Sequence, residues 1–466
     1  MTTANSDPAT ALLHDPSTYQ AGPPFAELAR LRREHGVVWV DEPATPGGPP
    51  GPGYWLVLRH ADVERVLRDP GTFSSSLGGT QIRDPASTED LSYVRRMMLN
   101  MDPPEHSRLR RMMSKSFTPR AVALLNDRIA GHAAALVDRM LGLGDADADT
   151  DDDAAGTGTG TGTGTDTGVC DFAKDVAADL PLFTLAEVLG VPAEDRWLLF
   201  DWSNRVIGWQ DEDYATSAAF DGTGGTELAR QALALRPSPD ADGRMPDPRG
   251  RSGMPDLYGY AHLLAEHKRH TPGNDIMSIM MSQLDGPDGA VSTEEFENLF
   301  WLFAVAGNET LRNGIPGGMI ALLTHPEQQR ALRAEPALLD GAVEEMLRWW
   351  TPVMVFRRTA TAPVTLSGVR IDAGAKVVVS FLAANRDESV FPEPDEFDVR
   401  RAPGRHLVFG HGPHFCLGAV AARTQMRALF GELLARTSWL EAAGEPALLR
   451  SNFQRGVKRL PLTWLR

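Results

Sequence analysis

Cys416 is one of only two cysteines in the chain, and it stands within Phe409-Gly410-His411-Gly412-Pro413-His414-Phe415-Cys416-Leu417-Gly418. An amphipathic run over residues 417–435 follows and predicts a helix. That places the sulfur at a helix N-terminus, where unpaired N–H groups and the positive end of the dipole favour a thiolate. A thiolate is the form that binds a soft or borderline metal. Gly410 and Gly412 permit a tight bulged turn, and Gly418 lets a large flat group lie close against the helix backbone. Taken alone, a lone cysteine in a glycine-rich loop is also compatible with an inert buried thiol.

Other residues with chemistry lie on predicted helices. His106 and Arg110 are four apart and share a face of a helix opened by Asp102-Pro103-Pro104, whose prolines sit where a missing N–H costs nothing. Ser292-Thr293-Glu294-Glu295 is a capping box. The long helix it opens carries Ala306-Gly307-Asn308-Glu309-Thr310, and Thr310 on its own is free to bond back to that helix. Pro316, followed by Gly317 and Gly318, predicts a bend or interruption one to two turns later. Residues 338–350 have helical spacing, with Glu345 and Arg348 together on one face. Such a pair contributes only about 0.2–0.5 kcal/mol on a surface.

Strands are predicted at 37–40 and 54–58, joined by a Pro/Gly-rich segment, with a helix over 60–67. Residues 73–101 show no clear period. A strand is predicted at 353–356, and a hairpin at 364–371 and 376–380 turns at Asp372-Ala373-Gly374. Residues 385–416 form an irregular meander. Residues 145–168, an acidic run followed by alternating Gly and Thr, predict a disordered low-complexity insertion. Residues 221–255, rich in Gly, Pro and charge, predict a second, irregular insertion.

A chain of 466 residues with 42% hydrophobic composition can bury a large core. Its net charge of −16 argues against nucleic acid as a partner. Cys170 and Cys416 form no CxxC pair, so a disulfide framework is not expected and a reducing cytoplasm is. Residues 1–24 lack the basic and apolar regions of a signal peptide, and no apolar run approaches the ~18 residues of a membrane anchor.

Phe-Gly-x-Gly-x-His-x-Cys-x-Gly resembles, residue for residue, the haem-thiolate loop of the cytochrome P450 monooxygenases, here of the soluble bacterial type. The resemblance runs from about Val37 to the C-terminus, interrupted mainly by the two insertions. It implies one P450 domain over 1–466, a mainly α fold with a small β-rich lobe (a triangular helical prism). It also implies haem b (iron protoporphyrin IX) ligated by Cys416, with Phe409, Gly410, His414 and Gly418 around it. His106 and Arg110 match the donors to one haem propionate, and Arg358 matches the donor to the other, with Arg357 as competitor. Ala306, Gly307, Glu309 and Thr310 match the oxygen-activation segment. There Gly307 thins the helix for dioxygen, Thr310 donates a hydrogen bond and Glu309 relays protons inward. Leu311 departs from the second threonine many relatives carry. Glu345, Arg348 and Arg401 resemble a buried triad that anchors the cysteine loop.

By the same resemblance, residues 73–101 arch over the distal side, which makes Leu77, Ile82 and Val94 candidate substrate contacts, and 221–255 become a pocket lid. An axial thiolate donates electron density that favours O–O cleavage. One oxygen atom of O2 then enters a C–H bond. No flavin fingerprint or iron–sulfur cysteine set is present, so electrons are expected from a ferredoxin and ferredoxin reductase, with the protein a monomer. Arg108, Arg111 and Lys115 could dock an acidic ferredoxin or be solvated helix charges. Residues 204–208, Arg312-Asn313, Ser451-Asn452-Phe453, Gly456 and Lys458 resemble the actinobacterial subgroup that hydroxylates steroid side chains, methyl-branched lipids and terpenoids. An apolar small molecule oxidised near a chain terminus is thus the expected substrate. A tailoring oxidase acting on a macrocycle or peptide by hydroxylation, cross-linking or nitration is the alternative. A non-catalytic haem ligand-binding protein is a third reading, which loss of the Glu309–Thr310 pair would mark.

Overall fold

The computed structural model describes residues 10–44, 50–85, 87–142, 167–216, 220–241, 245–284, 291–402 and 404–466. Helix Thr293–Thr324, 32 residues long, runs through the core. The capping box at its start forms as expected: Ser292 Oγ accepts from the Glu295 N–H, and Glu295 returns the bond. The helix is buried on most sides, and its buried polar residues, among them Glu297, Asn308, Glu309 and Arg312, are held by partners from other elements. Its first half, with Phe296, Leu299 and Phe300, packs into one hydrophobic cluster. Its second half, with Leu311, Ile315 and Met319, packs into another.

Of the bend or interruption expected at Pro316, the interruption does not occur: helical structure continues through it to Thr324. The following glycines explain this. A Cβ on Gly317 would stand 2.1 Å from Trp350 Cγ, so its absence admits the indole of helix Leu339–Trp350 against the helix backbone. That packing offsets the hydrogen bond the proline removes.

The β-rich lobe is a five-stranded sheet in the order Val37–Val40, Tyr54–Val57, Lys376–Ser380, Val355–Ala360, Phe73–Ser74. Only the pairing of Tyr54–Val57 with Lys376–Ser380 is parallel; the others are antiparallel. The strand expected at 353–356 therefore begins two residues later and extends to Ala360.

Both insertions differ from expectation where they are described. Residues 145–166 lie outside the described residues, but Thr167 and Gly168 begin strand Thr167–Asp171 and pair with Leu465 and Trp464. A Cβ on Gly168 would meet the Trp464 ring at 2.2 Å, so the glycine allows the indole to cover the strand. Residues 221–255, expected to be irregular, contain helix Glu227–Leu233, capped by Thr226 and buried through Ala229 and Ala232. In 73–101, helix Thr88–Val94 is capped by Ser87. Its seven residues are too short to display a period.

Candidate active site

The helix after the cysteine is Ala419–Arg436, two residues later than expected, with Gly418 as its cap. Gly410 and Gly412 have φ of 70° and 69°, the left-handed region that favours glycine. A Cβ on Gly412 would also strike the Leu67 carbonyl at 2.5 Å. The turn they make lets the Cys416 N–H donate to the Phe409 carbonyl at 2.9 Å. A Cβ on Gly418 would lie 3.9 Å from Cys416 Sγ with nothing else within 4 Å, so the space beside the sulfur is open.

That space is an apolar cavity with an empty volume of about 1590 Å³, continuous with solvent at its mouth. Cys416, Phe409, Gly410, Gly418 and His414 line it, and so do His106, Arg110, Arg358, Ala306, Gly307 and Thr310. The sulfur surface opens onto the cavity. Protein packed around it nevertheless raises the thiol pKa, because burial outweighs the Gly418 and Ala419 N–H groups and the Arg110 and Arg423 charges that favour the thiolate. The helix-end N–H groups thus favour the thiolate as the sequence suggests, and burial acts against them.

At one end of the cavity the two histidines lie 4.1 Å apart, centroid to centroid. Burial, then the Arg110 charge, lowers His106 to about 4. Burial and Arg358 hold His414 well below its ordinary value. Burial brings Arg358 down to about 10, which leaves it charged at neutral pH. Positive charge here thus comes from the two arginines, and His106 offers a neutral donor. Arg358 Nη2 and His106 Nδ1 are buried without partners, while Arg110 Nη2 donates to the Phe415 carbonyl at 2.5 Å. Arg357 is on the opposite face of its strand and pairs with Asp84 at 2.7 Å. It does not line the cavity.

On helix Thr293–Thr324, Gly307 is not simply thin. A Cβ there would meet Leu185 Cδ1 at 2.7 Å, so Leu185 fills the room the glycine leaves. The Thr310 hydroxyl donates to the Ala306 carbonyl at 3.2 Å, the local back-bond. Glu309 is buried and held from the side: Oε1 accepts from the Tyr214 hydroxyl and from Asn313 Nδ2 at 2.8 Å. Arg312 Nη1 is 3.4 Å from Oε2 and stacks over Phe200 and Tyr214. Tyr214 was not foreseen, because nothing in its local pattern links it to a residue 95 positions away.

A second cavity, of about 800 Å³ empty volume, shares Leu99, Leu302, Ala306, Thr310, Val353 and Phe356 with the first. Of the three expected distal contacts, Val94 lines it. Leu77 is exposed and Ile82 packs into the β-lobe core. Beneath the cysteine loop, Glu345 accepts from Arg348 at 2.7 and 2.8 Å and from Arg401 at 3.1 Å. Arg348 also donates to the carbonyls of Asn385 and Pro394 in the meander. Outside this site, Arg108 is tied to Glu295 and is unavailable as a free docking charge.

Steroid C26-monooxygenase of Mycolicibacterium smegmatis is 35% identical over 439 residues, covering 93% of this chain and 89% of that protein. The chain belongs to the cytochrome P450 family. The family's own model, described as Cytochrome P450, matches residues 259–462. A methyl-branched lipid omega-hydroxylase of Mycobacterium bovis is 35% identical over 440 residues, covering 94% of this P450 and 90% of the relative. Among solved structures, a Mycobacterium marinum cytochrome P450 in complex with pseudoionone has a TM-score of 0.77 at 32% identity, covering 95% and 96% of the two chains. The mainly helical fold with its β-rich lobe is thus the P450 fold.

Membership implies a haem-thiolate cofactor. The residues fit one: a single thiol, open space beside it, and unpartnered buried donors at one end of an apolar cavity. Among the described residues no group of three or more His, Cys, Asp or Glu could hold a metal. A lone sulfur suits a metal carried in a ring that brings its other donors. No helix among the described residues is long and apolar enough to cross a membrane.

Proposed function

We propose that this P450 binds haem b through Cys416 and inserts one atom of O2 into a C–H bond of an apolar substrate, a steroid, branched-lipid or terpenoid side chain. The observation that carries this reading is that the Cys416 sulfur and the Ala306–Thr310 turn line one cavity, which shares a wall with a second apolar cavity. Arg110, Arg358 and His106 would hold the propionates, since each presents a donor to the first cavity and two of them have buried donor atoms unpaired. Haem bound there supplies the electron transfer and oxygen chemistry that side chains cannot.

The remaining work belongs to the chain. Apolar walls orient the substrate and exclude water. Thr310 would turn its hydroxyl from the Ala306 carbonyl to donate where dioxygen is activated. Glu309, which lines the second cavity beside Thr310, would relay the proton. Electrons would come from a ferredoxin and its reductase, acting on a monomeric protein. Two relatives whose names specify steroid and branched-lipid oxidation support the substrate class.

A reduced-CO difference spectrum tests the ligand, and Cys416→Ala should abolish the thiolate band. Turnover with a surrogate ferredoxin system, with product from a steroid or branched lipid, tests the reaction. A wild-type protein that lacks the thiolate band, or one that binds such compounds without product, overturns the proposal.

A further inference from the structure

A second charged cluster stands behind the cysteine loop, and the reading above gives it no role. Glu344, one residue before Glu345 on helix Leu339–Trp350, accepts a fork from Arg423: Nε donates to Oε1, and Nη2 donates to Oε2 at 2.7 Å. Oε2 also accepts from His406 Nε2 at 3.0 Å. An ionised carboxylate can only accept, so His406 carries a proton on Nε2. The three residues come from three segments: that helix, the meander, and helix Ala419–Arg436.

Arg423 also faces the loop that presents the sulfur. Its guanidinium lies 4.3 Å over the Phe409 ring, within cation–π range, and its Nη1 donates to the Ala419 carbonyl at 3.4 Å. Phe409 is the residue whose carbonyl takes the Cys416 N–H, and the Ala419 N–H is one of the groups that favour the thiolate. Arg423 therefore touches the loop on both sides of Cys416. Its side chain is 26% exposed, that of Glu344 17% and that of His406 3%, so these charges are screened less than a surface pair. Among the described residues, Glu344 is the carboxylate that balances Arg423. None of the three residues lines the cavity.

A positive charge beside an axial thiolate draws electron density from the sulfur and favours the reduced iron, and a balancing carboxylate moderates that draw. We propose that Glu344 and Arg423 set the electron donation of the Cys416 sulfur, with Arg423 drawing on it, Glu344 moderating the draw and His406 holding Glu344 in place. All three are positioning residues. The inference rests on the haem-thiolate reading above and adds to it a control of the iron's potential from outside the cavity.

The test measures the ferric–ferrous equilibrium of the haem-loaded protein against a redox dye, one electron passing from dye to iron. Glu344→Gln keeps the shape and leaves Arg423 unbalanced, so the reduced form should gain roughly threefold to tenfold, tenfold being about 59 mV for one electron. Arg423→Met should move the equilibrium the other way by a similar factor. Arg423→Lys, which keeps the charge without the fork, should lie between Arg423→Met and wild type, and the double variant Glu344→Gln/Arg423→Met should return to within about twofold of wild type. Opposite signs are the signature, because a loosened loop would move both single variants alike. With the reduced-CO thiolate band intact, shifts of one sign, or a Glu344→Gln value within about twofold of wild type, overturn the inference and leave thiolate ligation standing. Glu344→Gln decides alone if Arg423→Met takes up no haem. A wild type without the thiolate band overturns both readings.

Discussion

Replacing Gly317 by alanine places a methyl group where Trp350 already is. The added Cβ would lie 2.1 Å from Cγ and 2.2 Å from Cδ2, roughly 1.5 Å inside ordinary carbon–carbon contact. Trp350 cannot swing away cheaply, since it is 1% exposed and its indole N–H donates to the Arg455 carbonyl at 3.0 Å. Helix propensity alone would favour alanine by about 1 kcal/mol. Overpacking a tight core costs about 1–3 kcal/mol, and the rigid ring puts this site at the upper end. The net expectation is a loss of about 2 kcal/mol. Gly131, inside helix Asn126–Gly142, is the internal control. No atom lies within 4 Å of its added Cβ, so Gly131→Ala should gain about 0.5–1 kcal/mol. Urea unfolding of both variants, with unchanged slopes, separates the two effects. A Gly317→Ala midpoint at or above wild type would show that Trp350 does not pack on a continuous helix, and the account of Pro316 would fall.

Glu345→Gln should cost about 3 kcal/mol, the low end for breaking a buried pair because Arg348 keeps its carbonyl acceptors; an unchanged melting temperature would contradict this. Glu297 and Glu344 both titrate at about 2, since hydrogen bonds from Arg251 and His262, and from Arg423 and His406, overcome the opposing effect of burial. A carboxyl held below its unfolded value stabilises the fold above that value and stops doing so as pH falls through the folded one. Melting temperature should therefore drop between about pH 4.5 and pH 2, less steeply in Glu344→Gln, and an identical slope in that variant would refute the assignment. Asp201, raised to about 6 chiefly by burial, has the opposite sign: its contribution is lost as pH rises through about 6. Cys170 is buried and Cys416 is exposed, so a maleimide should label haem-free native protein at Cys416 alone, and two labels per chain would be inconsistent with that burial.

What could be read from the sequence was local. The glycine-bracketed cysteine, the Ser292 capping box and the three-residue spacing of Glu345 and Arg348 are each written within ten consecutive residues, and the structure forms each in place. What escaped were contacts between distant segments. Whether Arg357 or Arg358 faces the cavity depends on strand register, which is set by pairing with Lys376–Ser380. Gly307 reads as empty space until Leu185 is seen to occupy it. Arg108 reads as a surface charge until Glu295, 187 residues on, takes it. Helix Glu227–Leu233 was hidden by its Gly- and Pro-rich flanks, although Thr226 before it is a cap signal.

The same non-local contacts bear on the role proposed for Glu309. Its two donors are not equivalent. Asn313 is fixed at both ends of its amide, because Nδ2 donates to the Glu309 backbone and side chain while Oδ1 accepts from the Val457 N–H at 2.9 Å. Tyr214 is buried in the first hydrophobic cluster on helix Glu212–Thr216, five residues long, which is also tied through Asp211 to Lys458 and the Arg450 N–H and through Asp213 to Lys458. Arg312, stacked on Tyr214, lies 3.4 Å from the second oxygen, Oε2. The carboxyl group is thus held on every side, and in the role proposed for it Glu309 would first take up a proton before passing one toward Thr310.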